Sequence, residues 1–136
     1  MNKLIGAITN IQQSGAIVLA DIDVDGYSFS SMLIDSDEQR SWLKTGNRVS
    51  VVFKETEVSI AKGLSGKISM RNRIRCQVES VKRGKLLSEI TLRFGLYKLT
   101  SVITTRSVEF LELKSGEEVE ALIKANEVSL MRFEPI

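Results

Sequence analysis

The sequence predicts an all-β chain of two tandem β-barrel units, each carrying one short helix. Three observations predict it: an internal repeat, a period-two alternation of apolar residues, and one helical stretch bounded by hydroxyls and a glycine. Shifted by 70 residues, segment 2–60 matches segment 72–130 without a gap. The identical pairs are Asn2/Asn72, Tyr27/Tyr97, Ser31/Ser101, Leu43/Leu113, Lys44/Lys114, Gly46/Gly116, Val49/Val119, Lys54/Lys124, Glu57/Glu127, Val58/Val128 and Ser59/Ser129. Such a register, ending twice in Lys-x-x-Glu-Val-Ser, marks a duplicated unit. It divides the chain into a first unit at 1–62, a linker at 63–70 and a second unit at 71–136.

The elements of the second unit follow in order. Its first strand opens on the segment Ser69–Asn72. Ile90, Leu92 and Phe94 then alternate with Glu89, Thr91 and Arg93, the pattern of a half-buried strand. Tyr97, Leu99, Ser101 and Ile103 continue it after a turn near Gly95. At 104–116 the period changes. Thr104 and Ser107 stand where a helix cap belongs, Val108, Leu111 and Leu113 follow at helical spacing, and Gly116 supplies a stop. Strands at 118–124 and 127–133 close the unit. The matching helix of the first unit is DSDEQRSWLKTG, 35–46. Five short strands and one helix suit a small OB-like barrel. A unit of this size buries little surface alone, so the units are expected to pack together and against another copy of the chain.

Composition narrows the chemistry. The net charge of +2 is small for a general polyanion binder. No apolar run is long enough to span a membrane, and the first residues lack a signal-peptide pattern. The single cysteine, Cys76, has no internal disulfide partner, and a cytoplasmic location is expected. With no histidine, the commonest general base and metal ligand are missing. No enzyme activity and no directly ligated metal are expected.

Donors without carboxylates mark the second unit. Ser69 and Arg71 lie at its first strand, Thr104 and Ser107 at its helix start, and Lys124 at the end of a late strand, followed by small Ala125. If these groups converge, they form a pocket for a small oxyanion. The first unit provides an internal comparison. It has Ile34 for Thr104, Asp37 for Ser107 and Glu55 for Ala125, and it keeps only Lys54. Carboxylates there would repel an anion, so its site reads as degenerate.

The segments SMRNRIRCQVESVKRG and TSVITTRSVEFLELKSGEEVEALIKANEVSLM resemble the Mop domain, also called molbindin or TOBE-type, over 69–130. The matching motifs are a Ser-x-Arg-Asn opening, an Ile-Thr-x-x-Ser-type helix start and an Ala-Leu-Ile-Lys-Ala-x-x-Val ending. The tandem arrangement resembles a di-Mop protein. The resemblance implies that molybdate or tungstate is the ligand, with no organic cofactor. It implies sites at subunit interfaces and ligand roles for Ser69, Arg71, Thr104, Ser107, Lys124 and the backbone of Ala125. The chain departs from the family in carrying the Ser-x-Arg opening once. With one motif set per chain, a homodimer with two equivalent sites is the first expectation and a trimer the second.

Plainer roles compete with these. Thr104 and Ser107 form a helix cap in any case. Cys76 aligns with Gly6 and reads as a small buried residue, and Trp42 as a packing contact. The rival function is an OB-type nucleic-acid or protein interaction module. Lys82, Arg83 and Lys85 form a small basic turn, but no aromatic lies near it in sequence, and nucleic acid is not expected as a partner.

Overall fold

The computed structural model describes residues 1–34 and 41–135. Among the described residues ten strands form two five-stranded antiparallel sheets. The first sheet holds β1 (Asn2–Ser14), β2 (Ile17–Val24), β3 (Tyr27–Ile34) and β4 (Arg48–Phe53). The second holds β5 (Ser59–Ala61), β6 (Asn72–Arg83), β7 (Leu87–Phe94), β8 (Tyr97–Thr104) and β9 (Glu118–Ile123). The last strand, β10 (Ser129–Arg132), returns to the first sheet, so the strand orders are β10-β4-β1-β2-β3 and β5-β9-β6-β7-β8.

The closing strands are therefore exchanged. Ser59, Ile60 and Ala61 of β5 pair with Leu122, Ala121 and Glu120, while Ser129–Arg132 pair with Val52–Val49. Each crossing is made by a short 3-10 turn, Glu55–Glu57 or Ala125–Glu127. The same bonds tie both turns: Glu57 N donates to Lys54 O, and Glu127 N to Lys124 O. The twice-written Lys-x-x-Glu-Val-Ser is the sequence of this crossing.

The sheets are open rather than closed barrels. Among the described residues no ladder joins β3 to β10 or β8 to β5. Each gap is spanned instead by one buried serine. Ser31 Oγ donates to Val128 O at 2.5 Å, and Ser101 Oγ to Val58 O at 2.7 Å. The two sheets are joined by another repeated pair. Asn72 donates through Nδ2 to Ser30 O (2.9 Å) and accepts at Oδ1 from Ser30 N (2.7 Å). Asn2 does the same to Thr100, at 2.8 and 2.7 Å. A side-chain amide thus stands in for one rung of a ladder between sheets.

One apolar core spans both sheets. Tyr27 meets Phe94 edge-on with ring centroids 5.0 Å apart, and Phe94 also neighbours Phe29 and Tyr97. Such pairs add about 0.5–1.5 kcal/mol each beyond burial. The predicted alternation is observed: Ile90, Leu92 and Phe94 are buried. Gly46 and Gly116, at φ 93° and 92°, donate to Ile8 O and Val78 O beside a matching bulge in β1 and β6.

The helix differs from its predicted extent. It runs Thr105–Leu111 with Thr104 as N-cap, and Glu112 in the left-handed region (φ 50°) ends it before Gly116 is reached. The glycine serves the bulge instead. Of the helix expected at 35–46, residues 35–40 lie outside the described residues. From Ser41 to Asn47 the chain runs in turns with a bend at Lys44, and Trp42 and Leu43 pack on the core.

The amide bridges give the first prediction. Asn72→Ala and Asn2→Ala each orphan a backbone N–H and C=O, so each should cost about 2 kcal/mol in urea unfolding. Thr56→Ala, at an exposed position, should stay within about 0.5 kcal/mol. A loss that small for Asn72→Ala would show that the sheets do not depend on the bridge.

Candidate functional site

The candidate residues fall into two groups in the chain. The first lies where β6 and β9 end together. Their ladder closes at the pair Asn72↔Ile123, so Arg71 and Lys124 sit one residue beyond it on facing strands, with Ala125 next. Both cations are exposed, Ala125 is half-buried, and Ser69 is exposed in the segment leading to β6. The Asn72 bridge places this group against β3 of the other sheet.

The charges of this ladder show why its end is cationic. Arg71, Arg73 and Arg75 alternate along the chain into β6. Arg75 faces Glu120 in register and pairs diagonally with Glu118 at 2.9 Å. Arg73 faces Leu122 and pairs diagonally with Glu120, as a fork of Nε to Oε2 and Nη2 to Oε1, both 2.9 Å. This fork raises the Arg73 pKa and lowers that of Glu120. For Arg71 the corresponding diagonal position carries Leu122, and the facing one carries Lys124. Two cations are left at the ladder end without a carboxylate partner from β9.

The second group is the start of α1 (Thr105–Leu111) at the far end of β8. Ser107 N donates to Thr104 Oγ1 at 3.1 Å, and the two hydroxyls lie 2.8 Å apart. One hydroxyl proton is spent between them, and one remains to be donated outward. Thr105 donates to Gly84 O and accepts from Ser88, which fixes the helix start to the β6–β7 turn. Around it opens a cleft of about 510 Å³ lined by Lys85, Leu86, Leu87, Thr104, Thr105, Arg106 and Glu109.

Among the described residues no hydrogen bond joins the two groups. The crossing explains the separation. The turn that begins at Lys124 packs against β3, whose last residue is Ile34, while the turn that begins at Lys54 packs against β8, whose last residue is Thr104. A larger cleft, about 680 Å³, runs along β3 and residues 126–130. Ile17, Met32, Leu33, Ile34, Val128 and Leu130 line it, and it offers few donors to an oxyanion.

Two partnerships escape a reading of the residues alone, Asn72 with Ser30 and Arg73 with Glu120. The Asn2/Asn72 identity and the facing series of arginines and glutamates are the signals that carry them. Arg83 reaches Glu109 at 3.9 Å, and the next residue, Phe110, is exposed. No cluster of His, Cys, Asp and Glu among the described residues could hold a metal, and no helix there is long and apolar enough to cross a membrane.

Comparison with known proteins adds a family. The TOBE domain model matches residues 68–130. Molybdenum-pterin-binding protein 1 of Clostridium pasteurianum is 38% identical over 65 residues, 47% of this chain and 96% of that protein. Molybdenum-pterin-binding protein MopB of Rhodobacter capsulatus is 33% identical over 108 residues, 78% of this chain; the match spans only 40% of MopB. A solved structure of the cytoplasmic molybdate-binding protein ModG with molybdate bound superposes with a TM-score of 0.91. Its sequence identity is 25%, with 96% of this chain and 95% of that one covered.

The lone thiol stands apart from both groups. Cys76 is buried in β6, donates to Ile74 O at 3.2 Å, and burial pushes its pKa up to about 12. A raised thiol pKa stabilises the fold at pH below the ordinary value of 9.0, and this is lost as pH rises towards about 12. The native protein should therefore resist alkylation at pH 8, and Cys76→Ala should flatten the stability loss above pH 9. Rapid labelling of the native thiol at pH 8, followed by mass spectrometry, would overturn this assignment.

Proposed function

The chain belongs to the TOBE-domain family that includes the molybdenum-pterin-binding proteins, and on that premise we propose that it binds molybdate at a donor-only site shared between two copies of itself. The observation that carries the reading is the ladder end, where Arg71 and Lys124 face each other with no carboxylate from β9 to neutralise them. A dianion supplies the missing charge. Ser69 and the Ala125 amide add donors at the same end, and Thr104 and Ser107 of a second copy supply the hydroxyls that one chain keeps elsewhere. Each site is then incomplete without a partner. A homodimer has two such sites, and a closed ring of three has three.

The first unit, at 1–62, is the structural half of the pair. It keeps Lys54 but places Glu55 where the second unit has Ala125. The linker at 63–70 and the second unit at 71–136 bring the complete motif set. The role is molybdenum storage, homeostasis or sensing in the cytoplasm, the compartment named for ModG. The protein acts by binding, not by catalysis. Tungstate, of the same shape and charge, is the alternative ligand, and no organic cofactor is needed.

A second reading, nucleic-acid binding, draws on exposed Phe110 beside the basic turn. One aromatic next to a partly paired arginine is less than the stacking platform such proteins use. A salt titration separates the two, since nucleic-acid affinity falls steeply with salt.

Arg71→Ala and Lys124→Ala should each leave the chain folded and weaken molybdate binding by about tenfold or more, the loss of one charge-assisted hydrogen bond of ~1.5–3 kcal/mol. Lys54→Ala should change little. Equal losses at Lys54 and Lys124 in calorimetry would mean that both units bind.

Native mass spectrometry should give one anion per chain in an oligomer. A monomer holding molybdate tightly would end the shared-site reading. In competition, tungstate should rank with molybdate, sulfate well below and phosphate last. Sulfate is smaller and cannot reach every donor. Phosphate carries a proton near neutral pH, and this set offers no carboxylate to accept it, only hydroxyls that serve as donors to the anion. Phosphate displacing molybdate as readily as tungstate does would place an acceptor in the site.

A further inference from the structure

We propose that Glu120 sets the anion selectivity of this site by holding Arg73 away from it, an inference that rests on the molybdate reading above. The geometry is specific. Arg73 N donates to Arg71 O at 3.1 Å, so residues 71–73 turn tightly, with an arginine on each side of Asn72. Only one of them is free of carboxylates from β9. Glu120 grips the Arg73 fork through both oxygens, at 2.9 Å each, in a pair whose side chains are only 27% and 22% exposed. The neighbouring Arg75–Glu118 pair is far more open, at 78% and 58%. The raised pKa of Arg73 and lowered pKa of Glu120 agree with a tight fork. The first unit has Lys3 and Ser50 at these positions, so the fold does not require the pair.

The consequence is chemical. With Arg73 occupied, the ladder end presents two cations, one from each strand, which matches a tetrahedral dianion. A released Arg73 would add a third cation on a long side chain. Such a group can follow an anion of any size, whereas a fixed set of donors rewards only the anion that spans it. Sulfate would gain more from it than molybdate, and discrimination by size would fall. Glu120 also has to stay occupied. Freed of Arg73, its carboxylate would keep only Arg75, which faces it in register but is paired with Glu118, and the uncompensated charge would repel an anion at the ladder end. Arg73 and Glu120 are thus positioning residues, and neither needs to touch the ligand.

The test is a two-residue cycle read by calorimetry with molybdate and sulfate on the full chain. Glu120→Gln should lower the molybdate-to-sulfate affinity ratio by about tenfold, the worth of one charge-assisted hydrogen bond. Arg73→Gln should weaken both anions by about tenfold, through the bared carboxylate. The double variant should return both affinity and ratio towards wild type, which two merely structural losses would not do. Should Glu120→Gln fold poorly, the comparison of Arg73→Gln with the double variant reads the same coupling. An unchanged ratio in folded Glu120→Gln, or no rescue in the double variant, overturns the inference while the wild type still binds molybdate. A wild-type chain that binds no molybdate overturns the reading of the site itself, and this inference with it.

Discussion

The exchange of closing strands is the constraint on which the rest of the molecule depends. Neither repeat supplies all five strands of its own sheet. The edge of β4 is covered by β10, and the edge of β9 by β5. Without the crossing, each sheet would lose a strand, and residues such as Val51 and Ala121, fully buried now, would lie beside an uncovered edge. The two units are one cooperative body for this reason, and the single core through Phe29 and Phe94 follows from it.

The repeat has kept identity where the exchange needs it. Asn2 and Asn72 bridge the sheets, Ser31 and Ser101 span the open gaps, and Lys-x-x-Glu-Val-Ser makes each crossing. Buried polar groups of this kind are costly unless fully paired, and here every one has a partner supplied by the other half. Where the copies differ, the differences gather at the ends of the same elements. Ile34 stands against Thr104, and Glu55 against Ala125. One scaffold thus carries a half free to hold the frame and a half free to carry donors.

Electrostatics at the β6–β9 end follows from strand geometry. Alternate residues share a face and diagonal neighbours lie within reach, so a row of arginines facing a row of glutamates neutralises itself along its length. The row stops neutralising where Leu122 and Lys124 replace glutamates. That is an edge condition of the ladder, and it falls next to Ser69 and Ala125. The same crossing that builds the core carries the Lys124 turn towards β3 and away from Thr104. One chain therefore keeps its donors at two separate places.

Much of this was legible in the residues. Period-two alternation at Ile90, Leu92 and Phe94, the cap at Thr104 and the 70-residue repeat fixed an all-β chain of two like units, because burial and capping are local and each leaves its mark at fixed spacing. The residue types also offered a set of donors without carboxylates in one unit. Three things were not legible. Gly116 looks like a helix stop in sequence, yet Glu112 ends the helix, since the glycine's amide is needed by the bulge at Val78. Asn72 and Arg73 look like two more donors beside Arg71, yet their partners, Ser30 and Glu120, lie 42 and 47 residues away. Lys-x-x-Glu-Val-Ser marks where each crossing turn lies but not which sheet the next strand joins, because a strand pairs with equal backbone bonds to either copy of a repeated neighbour. Which copy it chooses is decided by the reach of a short turn and by where Val58 and Val128 find their serines, and those are facts of three-dimensional closure alone.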